Sequence, residues 1–220
     1  MRPGGRYLIG ALAVLIVAAG AYAWRYGYQP ARTLTGAVLA TPLPAFDFHL
    51  RDQDGRSVSL DDLRGRPVAL TFLYTHCPDV CPFIAEVMHR AYERLGDDAG
   101  RVAFVAVSVD PAGDTRASIE RFLAAHRAVG QIEYLTGPVA DLRRVWAHYY
   151  VGSDAREVNP AAVSAAPAAV QSIDHTAIVY LVDARGRIRA FLPGNLDAAD
   201  LVHDLRVLLR EAPRQPRAGR

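Results

Sequence analysis

Cysteine is nearly absent from this chain: its 220 residues contain two, Cys77 and Cys81. A structural zinc site takes four protein ligands and an iron–sulfur cluster usually takes four thiolates, so two cysteines argue against both. No cysteine lies near the N-terminus, which excludes a lipoprotein anchor. Net charge is scarce as well. The formal value is +2, and the arginines are scattered with no basic stripe interleaved with aromatics, so nucleic acid is not an expected partner.

Charge is missing altogether between Tyr7 and Trp24, where Leu8, Ile9, Leu12, Val14, Leu15, Ile16 and Val17 make a strongly apolar run. A bilayer core takes about 20 apolar residues. Arg2 and Arg6 precede the run and favour a cytoplasmic N-terminus over residues 1–6, while Arg25 and Arg32 weaken the bias. The competing reading is a cleaved signal peptide, with Ala21-Tyr22-Ala23 as its small-x-small site. The run is longer than a usual signal-peptide core, and aromatics follow at once. A transmembrane anchor over residues 7–24 is therefore expected. Either way the rest of the chain is exported. The expected place is a bacterial-type inner membrane, crossed once, with the soluble part facing the periplasm.

Residues 25–44, with Gly27, Pro30, Gly36, Pro42 and Pro44, are expected to form a linker. A domain over residues 45–212 follows, and a basic, proline-containing tail over 213–220 is expected to be disordered. Phe46, Phe48 and Leu50 alternate with polar residues as in a half-buried strand, and Asp52-Gln53-Asp54-Gly55 turns the chain back through Val58 and Leu60. Val68–Tyr74 and Val102–Val109 are apolar runs of buried-strand length. Shorter strands are expected at Ile132–Leu135, Thr176–Val182 and Ile188–Leu192. Helical spacing runs through Phe83–Leu95, from a cap at Asp114 or Thr115 through Leu123, and through Val139–Tyr149 and Leu196–Leu209. Residues 152–172, rich in Ala, Ser and Pro, read as a long mobile loop. Strands alternating with helices give an α/β domain with a mixed central sheet, thioredoxin-like in its order.

The two cysteines lie in Cys77-Pro78-Asp79-Val80-Cys81-Pro82, directly after the first long strand run. Pro82 belongs in the first turn of a helix, which puts Cys81 at or just before the helix start and Cys77 in the preceding loop. A helix N-terminus stabilises thiolate. This spacing permits a disulfide or the convergence of two thiolates on a metal. Two thiolates suffice for Cu(I), and one added imidazole suits Cu(II), so the available ligands favour copper among metals. Of seven histidines, His175 stands out, because Asp174-His175-Thr176 leads into a buried strand on the cysteine side of the sheet. His89, His126, His148 and His203 belong to helices and His49 to an exposed strand position. His76 adjoins Cys77 without being a candidate ligand.

Beyond these arguments, the chain resembles the Sco (SenC-type) family of membrane-anchored, thioredoxin-like copper proteins. The resemblance is carried by Phe46-Asp47-Phe48 with Asp52-Gln53-Asp54-Gly55, by the run from Phe72 through Pro82, by Ser108-Val109-Asp110-Pro111 with Asp114-Thr115, and by Asp174-His175-Thr176 through Asp183 and Gly186. It implies that Cys77, Cys81 and His175 bind copper. It implies further that the metal goes to the binuclear copper site of cytochrome c oxidase subunit II or a similar acceptor, or that the chain reduces the cysteines of such a site. Other copper carriers or thiol reductants are then partners too. Arg116 stands where the family often has Pro, and the segment 152–172 is unusually rich in Ala and Pro.

Three rivals compete with the metallochaperone. A thiol–disulfide oxidoreductase normally uses C-x-x-C, and this pair is one residue wider. A peroxiredoxin-type peroxidase is disfavoured because Tyr74 stands three residues before Cys77, where members resembling that family carry Thr or Ser. A structural disulfide across so short a loop adds little stability.

Overall fold

A computed structural model describes Ala18, residues 33–151 and residues 178–213. The chain divides into two compact units, Met1–Thr33 and Leu34–Arg220. All the strands and helices that follow belong to the second. They are β1 (Ala37–Pro44), β2 (His49–Arg51), β3 (Ser57–Ser59), β4 (Val68–Leu73), α1 (Val80–Leu95), β5 (Ala103–Ser108), α2 (Arg116–Ala125), β6 (Ile132–Leu135), α3 (Val139–His148), β7 (Ile178–Val182), β8 (Arg187–Pro193) and α4 (Ala198–Glu211). The expected anchor over 7–24 lies outside the described residues except for Ala18, which is helical; so do the expected loop over 152–172 and all but the first residue of the expected tail over 213–220. Among the described residues no helix is long and apolar enough to cross a membrane.

Six strands form one sheet in the order β1-β8-β7-β4-β5-β6, and β2 and β3 form a separate hairpin. β4, β5 and β6 run parallel. β7 is antiparallel to β4, β8 to β7 and β1 to β8. This mixed sheet with helices on both faces is a thioredoxin-like α/β fold. The apolar run of β4 conceals a period of two. Ala69 and Leu73 face α1, α2 and α4, whereas Val68, Leu70 and Phe72 face α3 and the β2–β3 hairpin. Burial on both faces requires both sets to be apolar. Each large side chain so buried contributes roughly 2 kcal/mol relative to exposure.

Helix α1 presents Ile84, Val87, Met88, Ala91 and Leu95 to the core, the spacing of one helical face. Gly96, at φ 57°, ends it. Thr71, a hydroxyl inside the apolar strand β4, is satisfied by donating to the Ile178 carbonyl at 2.9 Å, which ties the start of β7 to β4.

The linker expected over 25–44 does not extend to Pro44. Residues 37–44 form edge strand β1, paired with β8 from Ala37↔Phe191 to Pro44↔Arg187 with a register shift between Val38 and Leu43. The prolines that suggest a linker are tolerated because an edge strand has one side without ladder bonds. The segment entering β1 is also held by α4. Asp204, 0% exposed, accepts from the Thr35 N–H at 2.8 Å, the Thr35 hydroxyl at 3.0 Å and the Gly36 N–H at 3.2 Å. Asp204→Ala leaves these donors without their carboxylate and is expected to lower the unfolding free energy by about 3 kcal/mol. Urea denaturation of the full chain measures this, and a loss below about 1 kcal/mol shows that the clamp is dispensable.

Candidate metal centre

β4 ends at Leu73 and α1 begins at Val80, so both sulfurs sit at the strand-to-helix junction. Cys77 lies in a turn in which its own N–H donates to the Tyr74 carbonyl at 3.3 Å. The Cys81 N–H donates to Cys77 Sγ at 3.4 Å. Both are free thiols, 8% and 2% exposed respectively. Cys81 is the second residue of α1 rather than a residue at or before its start. First-turn N–H groups have no intrahelical acceptor, so Pro82 fits at any first-turn position and does not mark the first residue.

The two thiols are electrostatically unequal. Burial opposes ionisation of Cys77. The N–H groups of Asp79 and Cys81, the Cys81 thiol and the Tyr74 hydroxyl outweigh it, and the Cys77 thiol lies below its ordinary value. Cys81 is pushed up to about 12, chiefly by deeper burial; the backbone of Tyr74 works against the rise, and the charges of Cys77 and Asp114 add to it. The Tyr74 hydroxyl is held above its ordinary value by its hydrogen bond to Cys77 and by that residue's charge. Of the two sulfurs, Cys77 is thus the easier to ionise and Cys81 the more sheltered.

Beside the loop, His76 is exposed, with its Nδ1 3.2 Å from Thr75 Oγ1. A Cβ on Gly113 would fall 2.2 Å from Asp110 Oδ2 and 3.2 Å from His76 Nδ1, so the close approach of these side chains requires glycine there. Thr115, not Asp114, caps α2, its Oγ1 accepting from the Ser118 N–H at 3.2 Å. Asp114 instead turns inward, 2% exposed. Its Oδ1 accepts from the Thr75 N–H at 2.8 Å, and its Oδ2 accepts from the Ser108 hydroxyl at 2.6 Å and the Tyr134 hydroxyl at 2.9 Å. Local pattern offers Asp114 only as an alternative cap. The signal that it does something else is that two candidate caps stand side by side where only one position exists.

His175 lies outside the described residues. The histidines set aside from the ligand set have other contacts. His89 Nδ1 is 2.8 Å from Gln131 Oε1, His126 packs on Phe122, and His148 stacks on Phe46 with centroids 3.6 Å apart. His49 is exposed, 3.8 Å from Asp47. Among the described residues no three His, Cys, Asp or Glu side chains are grouped so as to hold a metal.

The SCO1/SenC family model matches residues 40–210. The chain belongs to the SCO1/SenC family. It is 27% identical over 146 residues to the SCO2-like protein of Rickettsia felis, covering 64% of this chain and 65% of that one. It is 27% identical over 176 residues to Protein SCO2, mitochondrial, of Saccharomyces cerevisiae, covering 79% of this chain and 56% of that one. The match thus spans less than two thirds of either relative's length. Among solved structures, apo Sco1 from Thermus thermophilus is 30% identical with a TM-score of 0.63, covering 80% of this chain and 98% of that one. Bradyrhizobium japonicum ScoI, a structure with copper bound, is 29% identical with a TM-score of 0.55, covering 76% of this chain and 99% of that one.

For this SCO1/SenC chain the inequality of the thiols has a direct readout. In the reduced full chain at pH 7.5, limiting iodoacetamide is expected to label Cys77 first, with a rate that rises with pH and levels off below the usual cysteine range. Cys81, pushed up to about 12, stays unlabelled in the native state. Peptide mass spectrometry reads the site, and prior labelling of Cys81 reverses the assignment.

Proposed function

We propose that this chain is a copper metallochaperone that holds Cu(I) or Cu(II) through Cys77, Cys81 and His175 and delivers it to the binuclear copper site of cytochrome c oxidase subunit II. The observation that carries the reading is the pair of free thiols at the head of α1, with the Cys81 N–H on Cys77 Sγ at 3.4 Å. Two soft sulfurs at one sheltered spot form a donor set suited to Cu(I). Membership of the SCO1/SenC family and the copper bound by the Bradyrhizobium japonicum protein support it. Copper here is cargo. Thiolate and imidazole ligands exchange one at a time, which lets an acceptor take over the ion without its release to solvent. Because Cys81 has to lose its proton to bind, loading releases a proton and affinity falls as pH falls.

The choice of His175 as third ligand draws support from chain reach. Ile178 begins β7, its carbonyl accepts from Thr71 of β4, and Thr71 pairs with Val179. The antiparallel register brings that strand start to the end of β4 from which the cysteine loop departs. His175 is three residues upstream, a tether of at most about 11 Å. In this reading the domain works on the periplasmic side of a membrane to which residues 7–24 anchor it, with other copper carriers or thiol reductants loading or reducing it.

A second reading, thiol–disulfide oxidoreductase toward the cysteines of the same acceptor, is favoured by the unequal thiols, Cys77 as attacking thiolate and Cys81 as resolving thiol. The readings separate at His175. In the full reduced chain, His175→Ala is expected to remove the thiolate-to-Cu(II) charge-transfer band and weaken Cu(II) binding at least about tenfold, while Cu(I) binding changes less than about threefold. Cys77→Ser or Cys81→Ser removes tight Cu(I) binding. Absorbance titration and competition with a Cu(I) chelator read these outcomes. Unchanged Cu(II) affinity in His175→Ala refutes the third ligand, and a Cys77→Ser chain that still holds one tight equivalent makes the metal incidental. Undiminished disulfide reduction by His175→Ala in a chain that takes no copper selects the oxidoreductase.

A further inference from the structure

The loop that carries Cys77 is lightly held by its own backbone. Its local bonds are long: Cys77 N–H to the Tyr74 carbonyl at 3.3 Å, Cys81 N–H to Cys77 Sγ at 3.4 Å and Phe83 N–H to the Asp79 carbonyl at 3.4 Å. Asp79, at the N-cap of α1, makes no side-chain cap bond. Against these stands one short bond to a carboxylate, Thr75 N–H to Asp114 Oδ1 at 2.8 Å. Hydrogen bonds to ionised acceptors are about twice as strong as neutral ones.

Asp114 is itself fixed from three directions. Its N–H donates to the Asp110 carbonyl at 2.8 Å, within the turn that leaves β5. Ser108, the last residue of β5, pairs in register with Leu73 of β4, and its carbonyl accepts from Trp146 Nε1 at 2.9 Å. Tyr134 pairs with Ala106 in the middle of the parallel β5–β6 ladder. The three donors to the carboxylate, Thr75 N–H, Ser108 hydroxyl and Tyr134 hydroxyl, are all neutral. Burying a carboxylate without a cation is unfavourable, so hydrogen bonds from a rigid frame have to compensate. A plain helix cap carries no such requirement, and Thr115 already fills that role next door.

We propose that Asp114 is the positioning residue of the sulfur pair: its carboxylate fixes the Thr75 backbone, and with it the loop that presents Cys77 to Cys81, in the reduced arrangement that accepts metal. This rests on the reading of the cysteine pair as the working site. Asp114 acts on the sulfurs through Thr75, which is two residues from Cys77. In this proposal, closing the disulfide draws Cys77 toward Cys81 and weakens the Thr75 N–H bond to Asp114, so the bond, present in the dithiol form, favours that form over the disulfide.

The test is the equilibrium of the full chain with dithiothreitol. The Cys77–Cys81 disulfide bond breaks, a disulfide forms within dithiothreitol, and two electrons and two protons pass to the cysteines. Asp114→Ala is expected to shift this equilibrium toward the protein disulfide by roughly tenfold, the size expected for one bond to a charged acceptor. Asp114→Glu, which keeps the charge but misplaces it, shifts it the same way and serves if the alanine variant does not fold. Asp114→Asn retains an oxygen for the Thr75 N–H and an amide that can donate to the two hydroxyls, and, as a neutral acceptor of about half the strength, is expected to shift the equilibrium only about threefold. Circular dichroism and a cooperative melt establish that each variant is folded. Folded Ala and Glu variants that stay within twofold of the parent overturn the proposal. So does an Asn variant that shifts as far as Ala, because the effect is then one of charge. Copper titration of the parent is independent: failure to take up Cu(I) ends the metallochaperone reading and leaves the dithiothreitol result to decide the role of Asp114.

Discussion

Strand β4 is buried on both faces along its whole length, with β5 parallel on one side and β7 antiparallel on the other. A strand held by two ladders and two layers of side chains cannot slip by one residue without turning its entire apolar set over. The point where it ends is therefore fixed to within a residue, and Cys77 follows four positions after Leu73. Helix α1 is locked as firmly by Ile84, Val87, Met88, Ala91 and Leu95 against the sheet. The sulfurs occupy the short span between these two fixed ends, and their chemistry follows from the difference in depth between them.

That difference gives each thiol a distinct task in either functional reading. Cys77 faces the backbone donors of the helix start and carries its charge readily, while Cys81 lies within the first turn, deeper and closer to the buried charge of Asp114. A soft cation binding the pair displaces the proton that Cys81 holds, and a disulfide partner meets Cys77 first. Metal transfer and thiol exchange thus draw on one asymmetry.

Much of this is legible in the residues. The long apolar runs at Val68 and Ala103, the helical face from Ile84 to Leu95 and the hairpin turn at Asp52–Gly55 each follow from a local pattern, and the structure contains them. What local pattern does not reach is a role set by a distant partner. Edge strand β1 has prolines at 42 and 44 and only Leu39 fully inside, so nothing in its own residues announces a strand; its pairing with β8 makes it one. Asp114 reads as a cap because Asp commonly caps, yet two of the donors it accepts from lie 39 residues before it and 20 residues after it in the chain. Cys81 sits inside α1 because proline marks a first turn without marking its first residue. His175, singled out by its position before β7, belongs to the part of the chain outside the described residues.

Among the described residues, each margin of the six-stranded sheet carries a feature that discourages a further strand. On one side β1 carries Pro42 and Pro44, which lack the N–H a neighbour would require. On the other, the N–H of Tyr134 in β6 donates to Gln53 Oε1 at 3.0 Å, and Thr136 just beyond it exchanges backbone bonds with Arg51. Sideways, sheet-extending pairing between copies is thereby disfavoured at both margins without any covalent cross-link.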